Sequence, residues 1–494
     1  MAVESMRRVK TLGLLGTGVI GGGWAALALH LGIDVIAADV NPRMEAWIRG
    51  AVANAEGALA RLTSAPLPPK GKLSFTTDAT DMARRVDFIQ ENIPEQLELK
   101  QKMLADVSQH APADVLIASS TSGLMPSDLQ RDMRFPERLL VAHPFNPVYL
   151  LPLVELVGGK ATAPEALTAA ATFFRYIGMH PLQVRREVPG HLTDRLQEAL
   201  WREILHMVND GVASTGELDE SIIYGPGLRW AAMGTNLIYH LAGGETGMRH
   251  MLRQFGPCLK WPWTRLEAPE LTEELIDRMV EGTQAQAAGR SIRELERLRD
   301  DYLVAIQQVL KQFDIGAGST LRALEERLYA DSATSLRATP AAEQPLQTLQ
   351  GEVRAEWVDR SGRLSESRCL QVFADASDAL FRANGAAGGE REFIALQSQL
   401  AHHARAGALE PIAVSTQVLA IEDNRIRLFH WLKRRTDGRL IATAQQLYQY
   451  ADASSGTPAP LEEGARKALQ AVRTAHARLP VPEQPQSPVA LGGS

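Results

Sequence analysis

Two ionisable side chains follow apolar runs in the first third of the chain and have the types needed for proton transfer. His143 stands in the run Val-Ala-His-Pro-Phe-Asn-Pro, and Glu155 in the run Leu-Pro-Leu-Val-Glu-Leu-Val. Oxidation of a secondary alcohol needs a base for the hydroxyl proton and a group that orients this base. A carboxylate among apolar residues is costly unless it is paired. The two residues therefore predict a His–Glu pair at a strand end; the alternative is a structural histidine and an unrelated glutamate at a sheet edge.

A glycine pattern near the amino terminus predicts a dinucleotide site. Gly16, Gly18 and Gly21 form G-x-G-x-x-G between an apolar run and an Ala/Leu-rich stretch, and Asp39 ends the next apolar run. These glycines permit a tight turn, the approach of a pyrophosphate to the following helix, and close helix packing. The acid favours NAD over NADP, because it accepts ribose hydroxyls and repels a 2′-phosphate. The predicted cofactor-binding residues here are Gly16, Thr17, Gly18, Val19, Ile20, Gly21 and Asp39.

The elements that must position these residues alternate between strands and helices over residues 1–187. Apolar runs separated by helical stretches indicate a doubly wound α/β domain with a Rossmann-type parallel sheet, in which ligands bind at the carboxyl ends of the strands. Residues 188–325 change in character, since long amphipathic stretches, including 272–313, predict an all-helical domain. A cleft between two such domains is the usual place for a small substrate.

The rest of the chain divides into three predicted parts. Small, polar and proline-marked residues indicate a linker over residues 326–345. Residues 346–480 predict one helix followed by several long antiparallel strands, which is an α+β pattern. Residues 481–494 are rich in proline and small side chains and are expected to be disordered.

Composition and charge exclude several classes of protein. A net charge of −6, with 45% hydrophobic and 22% charged residues in 494, is ordinary for a globular chain and gives no reason to expect nucleic acid or an anionic membrane as partner. Cys258 and Cys369 are the only cysteines, which excludes a disulfide framework and a cysteine-based zinc site; we expect no metal. No apolar run suits a bilayer and no signal peptide precedes the first strand, so a cytoplasmic location is expected.

Six motifs resemble the 3-hydroxyacyl-CoA dehydrogenase family, over roughly residues 7–325. They are Gly16-x-Gly-x-x-Gly21, Glu91-Asn-Ile-Pro-Glu95, Ser119-Ser-Thr-Ser-Gly-Leu124, His143-Pro-Phe-Asn-Pro147, Val154-Glu-Leu-Val157 and Pro189-Gly-His-Leu-Thr-Asp-Arg-Leu196. The resemblance implies NAD-dependent oxidation of a 3-hydroxyl with His143 as base, Glu155 as its partner and Ser122 as a donor to the substrate oxygen. It also implies that Glu95 and Lys100 lie near the nicotinamide ribose, and that the protein is a homodimer through its helical domain.

Two departures from the acyl-CoA enzymes of this family favour a smaller substrate. Asp194 stands where those enzymes carry Asn, and Pro144 where they carry Phe. The chain then resembles the branch of the family that oxidises gulonate or carnitine, and L-carnitine is the expected substrate, with 3-dehydrocarnitine as product.

Carnitine carries a trimethylammonium and a carboxylate beside its hydroxyl. A quaternary ammonium has no N–H group, so aromatic faces are its natural receptor, and an arginine can bind the carboxylate with two hydrogen bonds. Phe145 and Phe255 are the predicted aromatic contacts. Arg195 is the predicted partner of the carboxylate, with Arg229 as runner-up.

Residues 346–480 resemble the hot-dog thioesterases. The segment Glu356-Trp-Val-Asp-Arg-Ser-Gly-Arg-Leu-Ser matches their Asp-x-x-Gly-His loop, which implies that Asp359 is a base or nucleophile. Arg363 replaces the loop histidine, and Gln445 stands where Glu is frequent, so two ionisable groups are missing. An active domain is expected to take an acyl-CoA, with betainyl-CoA as the one related to carnitine; an inactive domain would serve oligomerisation alone.

Three other functions stay open at this point. The same chemistry could serve another 3-hydroxy acid, such as L-gulonate or a short 3-hydroxyacyl-CoA. The chain could instead be a non-catalytic, crystallin-like protein that binds NAD, or its main activity could be the thioesterase. The joint presence of His143, Ser122 and Glu155 argues against the crystallin-like protein, and Arg363 argues against the thioesterase as the main activity.

Overall fold

The computed structural model describes residues 9–63, 65–265, 270, 272–338, 344–353, 357–387, 390–408 and 410–482. It divides into two compact units, one of Met1–Leu62 and Lys70–Leu324, the other of Thr63–Pro69 and Glu325–Ser494. Residues 483–494 of the predicted tail lie outside the described residues. The domain boundaries predicted from the sequence stay predictions.

An eight-stranded sheet forms the centre of the first unit. Its strands are β1 Thr11–Leu15, β2 Asp34–Ala38, β3 Leu73–Thr76, β4 Phe88–Glu91, β5 Leu116–Ser119, β6 Leu139–Pro144, β7 Leu153–Gly158 and β8 His180–Val184. Their order is β3-β2-β1-β4-β5-β6-β7-β8, and the pairings from β1 to β6 are all parallel. The predicted Rossmann-type sheet is confirmed, and the carboxyl ends of these strands share one edge.

The last two strands run the other way. β7 pairs antiparallel with β6, and β8 pairs parallel with β7. Residues 145–152 connect β6 to β7 without a helix, whereas a parallel return needs a crossover of about a dozen residues or more. The Rossmann-type sheet therefore ends in one antiparallel pairing, and the reversal brings β6 and β7 side by side.

Six helices accompany this sheet. They are α1 Val19–His30, α2 Met44–Leu62, α3 Ala79–Ala83, α4 Leu97–His110, α5 Pro126–Leu129 and α6 Pro164–Tyr176. Strand residues such as Ile36, Ile89 and Ile117 share a buried cluster with Leu104 and Val107 of α4. This burial of apolar side chains holds the strand ends in place.

The helical part that follows contains eight helices among the described residues. They are α7 Thr193–Asn209, α8 Thr215–Ile223, α9 Gly227–Trp230, α10 Thr235–Ala242, α11 Met248–Phe255, α12 Glu273–Ala287, α13 Ile292–Phe313 and α14 Ala317–Ala338. The predicted continuous stretch 272–313 is two helices, because Ala288 and Gly289 have left-handed backbones with φ of 52° and 77°. Ser291 then begins α13 with a capping box to Glu294.

Helix α14 extends into the predicted linker, whose bounds stay a prediction. It continues to Ala338 and so covers residues 326–338 of the stretch 326–345. Alanine is the strongest helix former, and this stretch is rich in it, while Pro340 lies beyond the helix end. Residues 339–343 lie outside the described residues.

The second unit contains a five-stranded antiparallel sheet and two further helices. In chain order they are β9 Leu346–Glu352, α15 Glu366–Ala383, β10 Arg391–His402, β11 Pro411–Glu422, β12 Arg425–Arg434, β13 Leu440–Asp452 and α16 Glu463–His476. The strand order is β10-β13-β12-β11-β9. Val372, Phe373 and Leu380 of α15 are buried in clusters with strand residues. The predicted α+β hot-dog architecture is confirmed.

Helix α16 was absent from the prediction. Its apolar signal is weak, since Ala465 and Leu469 are its buried apolar residues. Within the described part of the chain, none of the helices combines the length and apolar composition needed to cross a membrane.

Candidate active site

His143 and Glu155 lie opposite each other on neighbouring strands. β6 carries His143, β7 carries Glu155, and the antiparallel register pairs the two residues directly. Nδ1 of His143 lies 3.0 Å from Oε2 of Glu155, whose side chain is fully buried. An ionised carboxylate only accepts hydrogen bonds, so Nδ1 donates and Nε2 keeps its lone pair. The predicted pair has the geometry of an oriented base, and its catalytic role stays a prediction.

The start of α7 holds Glu155 from the other side. Oε1 of Glu155 accepts hydrogen bonds from the backbone N–H groups of Leu192 and Thr193 at 3.1 and 3.0 Å, and from the Thr193 hydroxyl at 3.2 Å. Burial raises the pKa of Glu155, but the hydrogen bonds from His143, Thr193 and Leu192 outweigh it and hold this pKa below its usual value. Glu155 is therefore ionised at neutral pH.

Asp194 faces the other ring nitrogen of His143. Its Oδ2 lies 3.6 Å from His143 Nε2, and its side chain is 26% exposed. Burial is the largest cause that raises the pKa of Asp194, and the like charge of Glu155 adds to it. The neighbouring His143 acts in the opposite direction but does not cancel the shift. From the sequence, Asp194 was only a departure from a motif and received no role. Its position could have indicated a role, because Asp194 lies in the first turn of α7, a helix that was expected to face the cleft.

His191 completes the buried cluster. Its side chain is fully buried, its ring centroid lies 5.6 Å from that of His143, and its Nε2 lies 3.3 Å from the carbonyl oxygen of Thr121. Burial, followed by the neighbouring His143, lowers the pKa of His191, so this imidazole is neutral at pH 7. Its backbone φ of 49° is left-handed, directly before α7 begins. Sequence reasoning did not predict this residue.

Of the predicted substrate contacts, Phe145 is the one that the structure brings to His143. The two ring centroids are 4.8 Å apart with an interplanar angle of 63°. Arg195 lies on α7 with an exposed side chain, and its backbone N–H donates to the carbonyl of Gly190 at 3.1 Å. Phe255 ends α11 and is 45% exposed, and Arg229 in α9 is exposed. Contacts of these last three residues with the substrate stay predictions.

Glu95 holds the loop that carries Ser122. Its Oε1 accepts hydrogen bonds from the backbone N–H groups of Ser122 and Gly123 at 3.1 and 3.3 Å, and from the hydroxyl of Thr121. The Ser122 side chain is exposed and therefore free to reach a bound molecule. The loop is thus fixed through its backbone while its hydroxyl stays accessible.

Lys100 is buried behind this loop, with 1% of its surface exposed. Its Nζ donates to Oε1 of Glu91 at 2.7 Å and to the carbonyl oxygen of Ile93 at 3.0 Å, and lies 3.4 Å from Oε2 of Glu95. Lys100 therefore ties the end of β4 to Glu95. The cofactor roles of Glu95 and Lys100 stay predictions.

The glycine turn has the shape that a pyrophosphate requires. Gly16 has a left-handed φ of 92°, and a Cβ on Gly21 would lie 2.4 Å from the Gly16 carbonyl oxygen. A Cβ on Gly18 would meet nothing within 4 Å. Helix α1 begins after Gly18 without a side-chain cap, so its first N–H groups are available to an anion. The residues of this turn fit the phosphates of a dinucleotide.

Asp39 lies beside this turn at the end of β2. Its Oδ2 accepts hydrogen bonds from the Thr17 backbone N–H at 3.2 Å and the Thr17 hydroxyl at 2.8 Å, and its Oδ1 accepts from the backbone N–H of Asn41 at 3.0 Å. The carboxylate is thereby fixed at the carboxyl end of a parallel strand, where an adenosine ribose is expected.

In the second unit, Asp359 is bound to its own loop. Oδ1 of Asp359 accepts hydrogen bonds from the Ser361 backbone N–H at 2.8 Å, from the Ser361 hydroxyl at 2.5 Å, and from the Arg363 backbone N–H at 3.2 Å. The Ser361 and Arg363 hydrogen bonds hold the pKa of Asp359 below its usual value. Asp359 is exposed and ionised at neutral pH, with Oδ2 3.6 Å from a guanidinium nitrogen of Arg363.

A cavity of about 540 Å³ lies along α15 in the same unit. Its walls include Ser377 and Phe381 of α15, Phe393 of β10, and Gln446 and Tyr448 of β13. Behind it, the Ser377 hydroxyl lies 3.2 Å from Nε2 of the fully buried His430, and burial lowers the pKa of His430 to about 3. The cavity has mixed polar and aromatic walls of a size that suits a small acyl group.

Comparison with known families gives matches over most of the chain. Residues 11–188 match the 3-hydroxyacyl-CoA dehydrogenase NAD binding domain, residues 190–288 match the C-terminal domain of the same family, and residues 353–469 match the thioesterase-like superfamily. These matches cover the strands and the α7 start that hold His143 and Glu155, as well as strands β10 to β13 of the second unit.

Curated relatives match at high identity. An L-carnitine dehydrogenase/betainyl-CoA thioesterase of Rhizobium meliloti (strain 1021) is 42% identical over 489 residues, which covers 97% of this chain and 98% of that protein. An L-carnitine dehydrogenase of a Pseudomonas species is 56% identical over 302 residues, covering 61% of this chain and 94% of that protein. Among solved structures, 5-formyl-3-hydroxy-2-methylpyridine 4-carboxylic acid 5-dehydrogenase matches with a TM-score of 0.53 and 26% identity, over 61% of this chain and 99% of its own.

The Glu155→Gln substitution tests the oriented base. An amide cannot balance the imidazolium that forms when His143 takes a proton, so we expect kcat for alcohol oxidation to fall by about 10²- to 10⁴-fold. NADH binding, measured by fluorescence titration, should not change. The control is Glu165→Gln at the exposed start of α6, which should keep wild-type kcat; an equally active Glu155→Gln enzyme would contradict the role.

Alanine substitutions at Gly18 and Gly21 should separate binding from folding. Gly18 has open space and an ordinary φ of −65°, so Gly18→Ala should keep the thermal midpoint and raise the NAD dissociation constant by about 5- to 100-fold through overpacking against the phosphates. Gly21→Ala should lower the free energy of unfolding by about 1–3 kcal/mol, because its Cβ meets the Gly16 carbonyl. Calorimetry with and without NAD measures both, and equal loss of stability in the two variants would contradict the assignment.

Proposed function

Because the chain belongs to the 3-hydroxyacyl-CoA dehydrogenase family and continues into a thioesterase-like domain, we propose that it oxidises the 3-hydroxyl of L-carnitine to 3-dehydrocarnitine with NAD. The observation that carries the proposal is the His143–Glu155 pair, in which a buried carboxylate holds Nδ1 of the imidazole and leaves Nε2 for the substrate hydroxyl. The relatives with carnitine activity in their names support this substrate over L-gulonate or an acyl-CoA.

The residues of the first unit divide the work of the reaction. NAD, when bound, accepts the two electrons and the hydrogen from the carbinol carbon of the substrate. The glycine turn and Asp39 hold the pyrophosphate and the ribose. His143 Nε2 accepts the hydroxyl proton, and ionised Glu155 stabilises the imidazolium that results. Ser122 donates a hydrogen bond to the substrate oxygen, and Glu95 and Lys100 keep its loop at the nicotinamide ribose.

A second activity is proposed for the C-terminal domain, the hydrolysis of betainyl-CoA. The full-length relative that carries this activity in its name supports it. Ionised Asp359 serves as base or nucleophile toward the thioester carbonyl. Arg363 replaces the loop histidine of the thioesterases, and Gln445 stands where they often carry Glu. The proposed hydrolysis therefore depends on Asp359, the ionisable group of this pattern that the chain keeps.

We also propose a homodimer formed through the helical part, in the cytoplasm. Large apolar side chains are exposed on several of its helices, among them Leu196 at 74%, Leu228 at 76% and Phe313 at 69%. An interface between two copies of the chain would bury exposed apolar side chains of this size. Cys258 and Cys369 are both free, which suits a reducing compartment.

The substrate assignment is tested by NADH formation with a panel of alcohols. We expect turnover with L-carnitine and none with D-carnitine, L-gulonate or 3-hydroxybutyryl-CoA. Phe145→Ala should lower kcat/KM for L-carnitine by about 2- to 30-fold, the range of one cation–π contact. Turnover confined to L-gulonate or to the acyl-CoA would overturn the substrate and leave the His143–Glu155 chemistry in place.

The two activities serve as controls for each other. Asp359→Asn should abolish release of the CoA thiol from betainyl-CoA, a loss of about 100-fold or more for removal of a nucleophile, and should leave carnitine oxidation unchanged. Glu155→Gln should lower carnitine oxidation and leave the hydrolysis of betainyl-CoA unchanged. Unchanged hydrolysis by the Asp359→Asn protein would contradict the role of this carboxylate.

A further inference from the structure

Asp194 is a second carboxylate beside Nε2 of His143, and it is not needed to orient the imidazole ring. Glu155 already accepts the Nδ1 hydrogen of His143 at 3.0 Å and so fixes its tautomer and orientation. Asp194 lies on the opposite side, with Oδ2 3.6 Å from Nε2. That distance is longer than a good hydrogen bond, so Asp194 neither orients the ring nor occupies the Nε2 lone pair.

Asp194 is one of two carboxylates beside the imidazole of His143. The groups that face it are His143, His191, Glu155 and Glu198. His191 is neutral at pH 7 and Glu155 is ionised, so two carboxylates share one imidazole. Burial together with the charge of Glu155 makes a negative Asp194 unfavourable in the free protein. A cation bound at this place would relieve that cost.

Substrate geometry brings a cation to this place. The alcohol oxygen must lie within hydrogen-bond reach of Nε2, at about 2.6–3.2 Å. In a 3-hydroxy-4-ammonio acid the nitrogen is one carbon away from the carbinol carbon, which puts it about 3–4 Å from that oxygen by standard bond lengths. Since Oδ2 lies 3.6 Å from the same Nε2, a substrate bound with its ammonium on the Asp194 side of the alcohol oxygen brings the two charges together.

We propose that Asp194 is the cation subsite of the dehydrogenase, the counter-charge that selects a substrate bearing a fixed positive charge one carbon from its hydroxyl. The proposal rests on the proposed function, and it identifies the positive charge as the feature of the substrate that Asp194 recognises. A quaternary ammonium has no N–H to place, so a diffuse charge contact with a partly exposed carboxylate suits it, and the neighbouring Phe145 ring supplies an apolar wall for its methyl groups. 3-Hydroxy acids without a cationic group would leave Asp194 unpaired, and their net negative charge would be repelled.

The test compares L-carnitine with its carbon isostere 3-hydroxy-5,5-dimethylhexanoate, which keeps the carboxylate and lacks the cation, in the full-length protein with saturating NAD. Asp194→Asn should raise KM for L-carnitine by about 10- to 100-fold, the scale of an opposite-charge contact at 4–6 Å, while kcat changes little. For the isostere, the same substitution should leave KM unchanged or lower it. Asp194→Glu, which keeps the charge, should retain most of the preference for L-carnitine.

Two controls keep the result interpretable. Glu165→Gln removes an exposed carboxylate at the start of α6, away from Asp194, and should behave like wild type with both compounds. NADH titration of Asp194→Asn checks that the fold and the cofactor site are intact. An Asp194→Asn enzyme that loses the same factor on both compounds, or on neither, overturns the cation subsite and leaves the carnitine assignment standing. A wild-type protein that does not oxidise L-carnitine overturns both.

Discussion

The organisation of the dehydrogenase unit depends on one buried carboxylate. Glu155 has no exposed surface, and each of its oxygens is bound: Oε2 by His143 of the neighbouring strand, Oε1 by the backbone and hydroxyl at the start of α7. A buried charge is tolerated only when its hydrogen bonds are satisfied. The position of the base and the position of the helical part are therefore set by the same group, and neither can shift without leaving that charge unpaired.

The loop that carries Ser122 is also held in place by buried charged groups. Lys100 is buried against Glu91 at the end of β4 and reaches Glu95, and Glu95 in turn holds the backbone of the Ser122 loop. Ionic groups that are buried in pairs fix backbone positions, because separating them would expose an uncompensated charge to an apolar surrounding. The side chains proposed to touch substrate, Ser122 and Asp194, are by contrast partly or fully accessible.

Local patterns made the fold and the centre of the site predictable. G-x-G-x-x-G after an apolar run, an acid at Asp39, and His143 and Glu155 within strand-like runs each depend on neighbours in sequence. What escaped prediction depends on contacts between distant segments. The antiparallel return of β7 follows from the short connection after β6, whereas the left-handed His191 and the hydrogen bonds of Thr193 to Glu155 arise where α7 begins beside β7. Asp194 was visible as an unusual residue, but its distance from Nε2 was not. Ala288 lies in an otherwise helical pattern, so the break between α12 and α13 had no strong local signal.

Asp39 shows how an inherited choice of cofactor becomes hard to reverse. Its two oxygens hold Thr17 in the phosphate turn and Asn41 after β2, in addition to the ribose contact proposed for them. A substitution that made room for a 2′-phosphate would also release the backbone of the turn that binds the pyrophosphate. Engineering of a phosphorylated cofactor into this protein therefore has to redesign the turn and the strand end together, and evolution by single steps would pass through intermediates that bind neither cofactor well.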